Sequence, residues 1–530
     1  MMLCRVVSVF AFVVFTSLLA SGQQRDRQGQ QPAVSPSATP AATGEGGARP
    51  AAEAKKDAKE APEVPPVVTH HEIRAGGKTL RYTATAGMMP LKNLDSGEVE
   101  AHIFYIAYTL DGQDPARRPL TFSFNGGPGS ASVWLHLGAI GPKRVRMQPD
   151  GMMPAPPYQL VDNEYTWLDQ TDLAFIDPVG TGYSRAVKRD QTRKFLGLRG
   201  DIESVGEFIR LYLGRYERWS SPLFLVGESY GTTRAAGLSG YLVDHGIAFN
   251  GIMLISSILN FETTDFAPGN DLPYVLFLPT YADTAWYHKK QPPDLLKDFA
   301  KMRAEVEQWV ATGYAEALAK GDRLSPQERS EAADKLARYT GLSKSYVEQS
   351  NLRIDEPHFV KELLRDQNKT VGRLDSRFTG SERSQIAETA RYDPSMSAIR
   401  PPYTAMFNQY VRTELGYKSD LEYYILGGGF RPDEWDWGVQ RGGFPDTAQA
   451  LKDAFDKNPF MKLFVGSGYY DLATPYFATQ YTLNHMALDK DQHARVGLGY
   501  YGAGHMMYIQ DSSLGELKKD IGAFMQGAMK

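Results

Sequence analysis

Cysteine is all but missing from this sequence. The one thiol in 530 residues, Cys4, lies beside an apolar N-terminal run. Once that segment is removed, no disulfide and no thiolate metal site can form, so the fold must rest on a core large enough to stand alone. An apolar content of 42% over this length permits such a core, in one or two domains. An excess of charge of one sign is missing too. The 58 Lys and Arg against 62 Asp and Glu leave a net charge of −4, with no basic stripe, so nucleic acid is not an expected partner. Long hydrophobic runs are absent beyond Val6–Ala20, whose 15 residues fall short of the roughly 20 that a membrane-spanning helix needs. Arg5 before that run and Ala20-Ser21-Gly22 after it make residues 1–22 an export signal, cut before Gln23. No cysteine follows to take a lipid anchor. The expectation is an exported protein, periplasmic or secreted, without stable membrane insertion.

Large apolar residues are scarce again from Gln23 to Val68, a stretch of Gln, Ala, Pro, Gly and charge. Such a segment cannot bury enough surface to offset chain entropy. It is expected to be a disordered linker over 23–68, with the folded part starting near His70. At that point the "HHEIR" sequence lacks the second histidine of an H-E-x-x-H helix; no metal and no cofactor are expected.

Strand patterns follow at Val99–Leu110, Pro119–Phe124, Leu173–Asp177, Pro222–Gly227 and Gly251–Ser256, then late in the chain at Lys462–Gly466 and Ala494–Tyr501. Helical patterns alternate with them at Asp201–Tyr216, Tyr230–His245, Asp446–Asp456, Tyr476–Met486 and Leu514–Met529. This alternation predicts an α/β fold, a mainly parallel sheet with helices on both faces. Between Leu259 and Tyr417 the pattern changes. Leu295, Phe299, Met302, Val306 and Trp309 repeat at helical spacing, and Ser325 with Glu328 forms a capping box. The block 259–417 is therefore read as a mostly helical cap, inserted between a first core part (69–258) and a second (418–530).

Gly227-Glu228-Ser229-Tyr230-Gly231 fits the G-x-S-x-G nucleophile elbow and lies between a strand pattern and a helix pattern, as that turn requires. A serine hydroxyl needs a base, and the base an orienting acid. In this arrangement the partners follow in the order serine, acid, histidine. His505 sits in the Gly-flanked turn "YYGAGHMMY" after the last strand pattern, whereas His485 falls in a helix pattern and His493 in a charged loop. Asp471, in "LFVGSGYYDLATP", follows the preceding strand pattern, a position that also suits the cap of the next helix. A tetrahedral intermediate needs two backbone N–H donors. Tyr230 and Gly127 of "NGGPG" are candidates for this oxyanion hole, although the latter sequence alone also suits a tight turn.

Together "NGGPGSAS" from Asn125, "DPVGTGYS" from Asp177, "GESYG" from Gly227 and "GAGHM" from Gly502 resemble, in order, the serine carboxypeptidases of the α/β-hydrolase fold. The resemblance implies Ser229 as nucleophile, His505 as base, Asp471 as its orienting carboxylate, and Gly127 and Tyr230 as the oxyanion hole. It also implies that Asn125, Gly126 and Glu228 bind substrate, with Asn125 and Glu228 holding the free C-terminal carboxylate of a peptide. Two carboxylates in one site repel unless they share a proton, so Glu228 implies an acidic optimum. The chain departs from the family's common pattern in having Ser123 for Trp, Ala139 for Glu and Ser130 for Cys, and Tyr508 stands near a position where Pro is frequent. The expected activity is hydrolysis of C-terminal residues through an acyl-enzyme. An esterase, amidase or acyltransferase with the same triad, and a non-catalytic binding protein on the same scaffold, are the alternatives.

Overall fold

The computed structural model describes residues 64–93, 95–439 and 443–530. The expected export signal and nearly all of the expected linker lie outside these residues. The fold begins with strand β1 (Val67–Ala75), which enters the stretch read as linker by two residues, because Val67 and Val68 pair with Ala86 and Thr85 of β2 (Lys78–Lys92). Gly76 and Gly77, both at positive φ, close this two-residue hairpin. Neither strand stands out in sequence: β1 is an edge strand, "VVTHHEIRA", in which His70, Glu72 and Arg74 face solvent while Thr69 and His71 are half-buried.

A single large sheet follows. To β1 and β2 it adds β3 (Val99–Leu110), β4 (Leu120–Phe124), β5 (Asp172–Ile176), β6 (Leu223–Ser229), β7 (Gly251–Ser257), β8 (Lys462–Gly468) and β9 (Val496–Tyr501), in the spatial order β1-β2-β3-β5-β4-β6-β7-β8-β9. A two-residue strand, Arg185–Ala186, pairs with β3 off this path. Pairing is antiparallel up to β3–β5 and parallel from β5 to β9. Strands β4, β5 and β7 are buried along their whole length, as strands covered on both faces must be. One face is covered by α1 (Leu198–Arg215), α2 (Tyr230–Asp244) and α7 (Ala448–Lys457), which bury Phe208, Leu238 and Phe455 with Leu225 and Leu254 of the sheet. The opposite face is covered by the C-terminal helix α9 (Asp511–Ala528), which buries Leu514, Leu517 and Ile521 with Phe224 and Met253. This is the α/β-hydrolase fold.

Between β7 and β8 lie α3 (Leu272–Tyr287), α4 (Phe299–Trp309), α5 (Pro326–Thr340) and α6 (Pro394–Thr413). The first three share a cluster of their own, in which Met302, Val306 and Trp309 meet Phe277, Tyr281 and Leu336. At the start of α5 the Ser325 amide donates to the Glu328 carboxylate (2.8 Å) and the Glu328 amide donates to the Ser325 hydroxyl (3.2 Å), a complete capping box. Helix α6 behaves differently: Tyr403, Phe407 and Tyr410 pack into the sheet's own cluster with Trp134 and Tyr508. The last labelled helix, α8 (Tyr476–Asn484), follows the loop after β8. No helix among the described residues is long and apolar enough to cross a membrane.

Candidate active site

Ser229 closes β6 and caps α2 with φ 59° and ψ −132°, a backbone conformation that a non-glycine residue adopts only when its surroundings hold it there. The turn is tight enough that a Cβ on Gly227 would lie 2.1 Å from the Gly231 carbonyl oxygen. The Asn125–Gly129 loop after β4 presses on the same turn, since a Cβ on Gly126 would lie 2.5 Å from the Tyr230 amide nitrogen. Gly127 and Tyr230 thus belong to two backbone segments in direct contact beside Ser229.

A buried brace holds this arrangement. The Arg234 guanidinium on α2 donates to Asp201 of α1 (2.7 Å) and to the Asn125 carbonyl (2.6 Å), and the Tyr230 hydroxyl donates to the same Asp201 oxygen (3.0 Å). The Asn125 side chain accepts from the Leu135 amide (3.0 Å) and donates to Glu228 Oε1 (2.9 Å). Asp177 of the "DPVGTGYS" segment accepts from the Ser132 amide at 2.8 Å, tying that segment to the same loop.

Asp471 and His505 meet where the sequence pattern predicts. Asp471 Oδ2 lies 2.7 Å from His505 Nδ1. A carboxylate only accepts, so Nδ1 carries the proton and, in the neutral imidazole, Nε2 is left unprotonated. Both residues are buried. The Ala473 and Thr474 amides donate to Asp471 Oδ1, and the Thr474 hydroxyl donates to Oδ2 at 2.7 Å. The His505 carbonyl accepts from Ser256 (2.6 Å) on β7, and the next residue, Ser257, pairs with Ser229. No hydrogen bond joins the Ser229 hydroxyl to His505 among the described residues. Burial alone would pull the His505 pKa down. The charge and hydrogen bond of Asp471, with the charge of Glu228, outweigh it and raise the imidazole above its ordinary value.

Glu228 is buried, not a surface carboxylate at a helix start. Desolvation pushes its pKa up to about 7, against the pull of His505 and of hydrogen bonds from Tyr508 and Asn125, and with a further push from Asp471.

Several residues of the site escape sequence reasoning. Thr474 shares the Asp471 oxygen, and Leu374 receives the His505 amide (2.6 Å). Asp375 receives the Gly504 amide (3.1 Å) and is itself held by Arg377. The last three come from the irregular part of the inserted block, where no periodicity marks them. Conversely, Phe277 and Tyr281 of that block are buried in its own cluster, with Tyr274 and Trp286 packed against them. The aromatic rings that flank the Ser229–Tyr230 turn are Trp435 and Trp437, edge-on to Tyr230 at 5.4 and 5.9 Å.

A parallel sheet carrying a serine at a strained strand-to-helix turn, with a buried Asp–His pair beside it, defines an α/β-hydrolase. The profile of the serine carboxypeptidases matches residues 91–500, and the chain belongs to that family. Serine carboxypeptidase-like 2 of Arabidopsis thaliana is 31% identical over 136 residues, which cover 25% of this chain and 29% of that protein. A pheromone-processing carboxypeptidase of Saccharomyces cerevisiae is 33% identical over 159 residues, 27% of this chain and 20% of that one. The alignments thus span under a third of these relatives' length. Among solved structures, proline iminopeptidase of Mycobacterium smegmatis superposes over 84% of this chain and 99% of its own, with 13% identity and a TM-score of 0.36.

Proposed function

We propose that the protein is a serine carboxypeptidase that removes C-terminal residues from peptides through an acyl-enzyme, most efficiently on the acid side of neutrality. The observation that carries this reading is the 2.7 Å Asp471–His505 pair on the loops after β8 and β9, tied through Ser256 and Ser257 to the strand end that carries a strained Ser229, whose neighbour Glu228 is a buried carboxylate.

In this mechanism His505 Nε2 takes the Ser229 proton as Oγ attacks the scissile carbonyl. Asp471 stabilises the imidazolium that forms. The N–H groups of Gly127 and Tyr230 receive the oxyanion. His505 then protonates the departing amino group, and water releases the acyl chain by the same steps in reverse. Asn125 and Glu228, with Gly126 at their side, hold the terminal carboxylate. Glu228 can face a second carboxylate only while it keeps its proton. Binding therefore weakens as pH rises through about 7. Protonation of Glu228 also withdraws one of the charges that raise His505, so the form that binds substrate keeps a free base to lower pH. Both effects place the optimum below neutral. The rings of Trp435 and Trp437 beside Tyr230 support a preference for apolar residues next to the cleaved bond, and the helices of the 259–417 block are suited to cap the site.

Incubation with a serine-directed organophosphonate tests the nucleophile. One label per chain is expected, on the peptide containing Ser229, and Ser229→Ala should remove both the label and the release of C-terminal residues. An active but unlabelled protein would overturn the assignment. Export is part of the proposal: the mature protein should begin at Gln23, and intact-mass measurement of protein from the exported fraction checks it.

A further inference from the structure

Asn125 holds Oε1 of Glu228, and Tyr508 holds the other oxygen: its hydroxyl donates to Oε2 and is itself hydrogen-bonded to the Asn125 side chain. Tyr508 is buried and lies on the short turn Met507–Ile509, three residues past His505. Its ring fills the space against Gly138, where a Cβ would come within 2.5 Å of ring carbon Cε2. Ala139, the next residue, brings only a methyl group. The Tyr403 hydroxyl of α6 is buried and has no hydrogen-bond partner, so it does not hold Glu228 in place of Tyr508. The Tyr508–Glu228 bond joins the turn that carries the proposed base to the turn that carries the proposed nucleophile, two segments that no hydrogen bond between Ser229 and His505 links.

We propose that Tyr508 is a positioning residue of the carboxylate site: its hydroxyl fixes Glu228 and sets the pH at which Glu228 gives up the proton needed to receive a peptide C-terminus. This inference rests on the carboxypeptidase reading for the identity of the ligand, but not for the Tyr508–Glu228 bond itself. A phenol that donates to a carboxylate favours the ionised form. Tyr508 therefore opposes the desolvation that keeps Glu228 protonated. The other groups that bear on Glu228 are His505 from the loop after β9, Asp471 from the loop after β8, Tyr403 from α6 and the Asn125 amide. Of these, His505 and Asn125 act in the same direction as Tyr508, and Asp471 acts against it.

The test is Tyr508→Phe, which removes one oxygen and keeps the ring against Gly138. Infrared difference titration, with Glu228→Gln to assign the band, follows the protonated Glu228 carboxyl without any substrate. In Tyr508→Phe that band should persist to a pH about one unit higher, a tenfold change in proton affinity, which is the size of one hydrogen bond to a charged group. The alkaline limb of kcat/KM for an N-blocked dipeptide with a free C-terminus should move upward with it. Cleavage of the matching ester should show no such movement, and Tyr508→Phe in the Glu228→Gln background should leave the pH profile where it was. An unmoved carboxyl titration, with only a lower Tm, overturns the proposal and assigns Tyr508 to packing. A moved titration in a protein that does not distinguish free-acid from blocked substrates leaves Tyr508 as the partner of Glu228 and overturns the carboxypeptidase reading instead.

Discussion

Four hydrogen bonds converge on the Asp471 carboxylate, two from backbone amides, one from Thr474 and one from His505. All its lone-pair sites are thus engaged, and the imidazole has one orientation in which to dock. Asp471→Asn keeps the shape but offers an N–H where His505 needs an acceptor, so kcat should fall by about 10⁴ through the wrong imidazole tautomer. Thr474→Val deletes one donor and leaves the Asp471–His505 bond, so a loss of no more than about tenfold is expected. Steady-state kinetics on both variants separate the two roles, and equal losses would show that the Thr474 hydroxyl, not the carboxylate pair, governs the imidazole. The placement of Ser229, Asp471 and His505 is legible in sequence because each sits in a turn after a strand pattern. Thr474, Leu374 and Asp375 are not, since a residue that acts by receiving or giving one hydrogen bond across the fold leaves no spacing to read.

Strand β6, its turn and α2 form the element on which the site depends. Nothing larger than hydrogen fits at Gly227, because the atom it would meet is the Gly231 backbone oxygen at 2.1 Å, which cannot swing aside as a side chain could. Gly227→Ala should destabilise the fold by about 3 kcal/mol or more, measured by urea unfolding. The Asp201–Arg234 pair, with side chains 2% and 1% exposed, should behave as a buried bridge. Asp201→Ala leaves an unpaired guanidinium and should cost about 3–5 kcal/mol, and a loss below about 1 kcal/mol would mean that the brace is incidental. The parallel strands and their helices are legible to within a few residues, since continuous apolar runs bounded by turn residues have one reading. β1 and β2 are not, because β1 is an edge strand rich in polar residues and β2, paired on both sides, has Thr, Ala and Gly where an apolar run would mark a strand. The placement of α6 against the sheet's cluster is equally hidden: its Tyr and Phe spacing shows a buried face but not which neighbour buries it.

Over the whole molecule, acids that are buried, or nearly so in the case of Glu356, set how stability responds to pH. Desolvation raises Glu228 and Glu356 to about 7 and Asp177 to about 6. Groups raised in the folded state bind protons there that the unfolded chain has lost, so their contribution is present at low pH and disappears as pH rises through 6 to 7. His136, buried against Tyr108 and Phe175, works the other way: burial lowers it to about 3, so its contribution is lost as pH falls below the ordinary histidine value. Asp283, raised by desolvation to about 8, adds to these acids, while burial lowers His71 and His288 as it does His136. The larger shifts of the four acids predict a higher Tm at pH 5 than at pH 8, by calorimetry at fixed ionic strength. The reverse order would contradict the burial of these acids as proton-holding groups. The same Glu228 that favours acid stability is the one proposed to admit a peptide C-terminus.

The central claim is best tested with a pair of N-blocked dipeptides that differ only in a free or an amidated C-terminus, followed from pH 4 to 8 with Ser229→Ala as the blank. The account predicts release of the last residue from the free acid, with KM rising as pH passes through about 7, and little cleavage of the amide at any pH. Equal cleavage of both substrates, or a KM for the free acid that ignores pH, would contradict it.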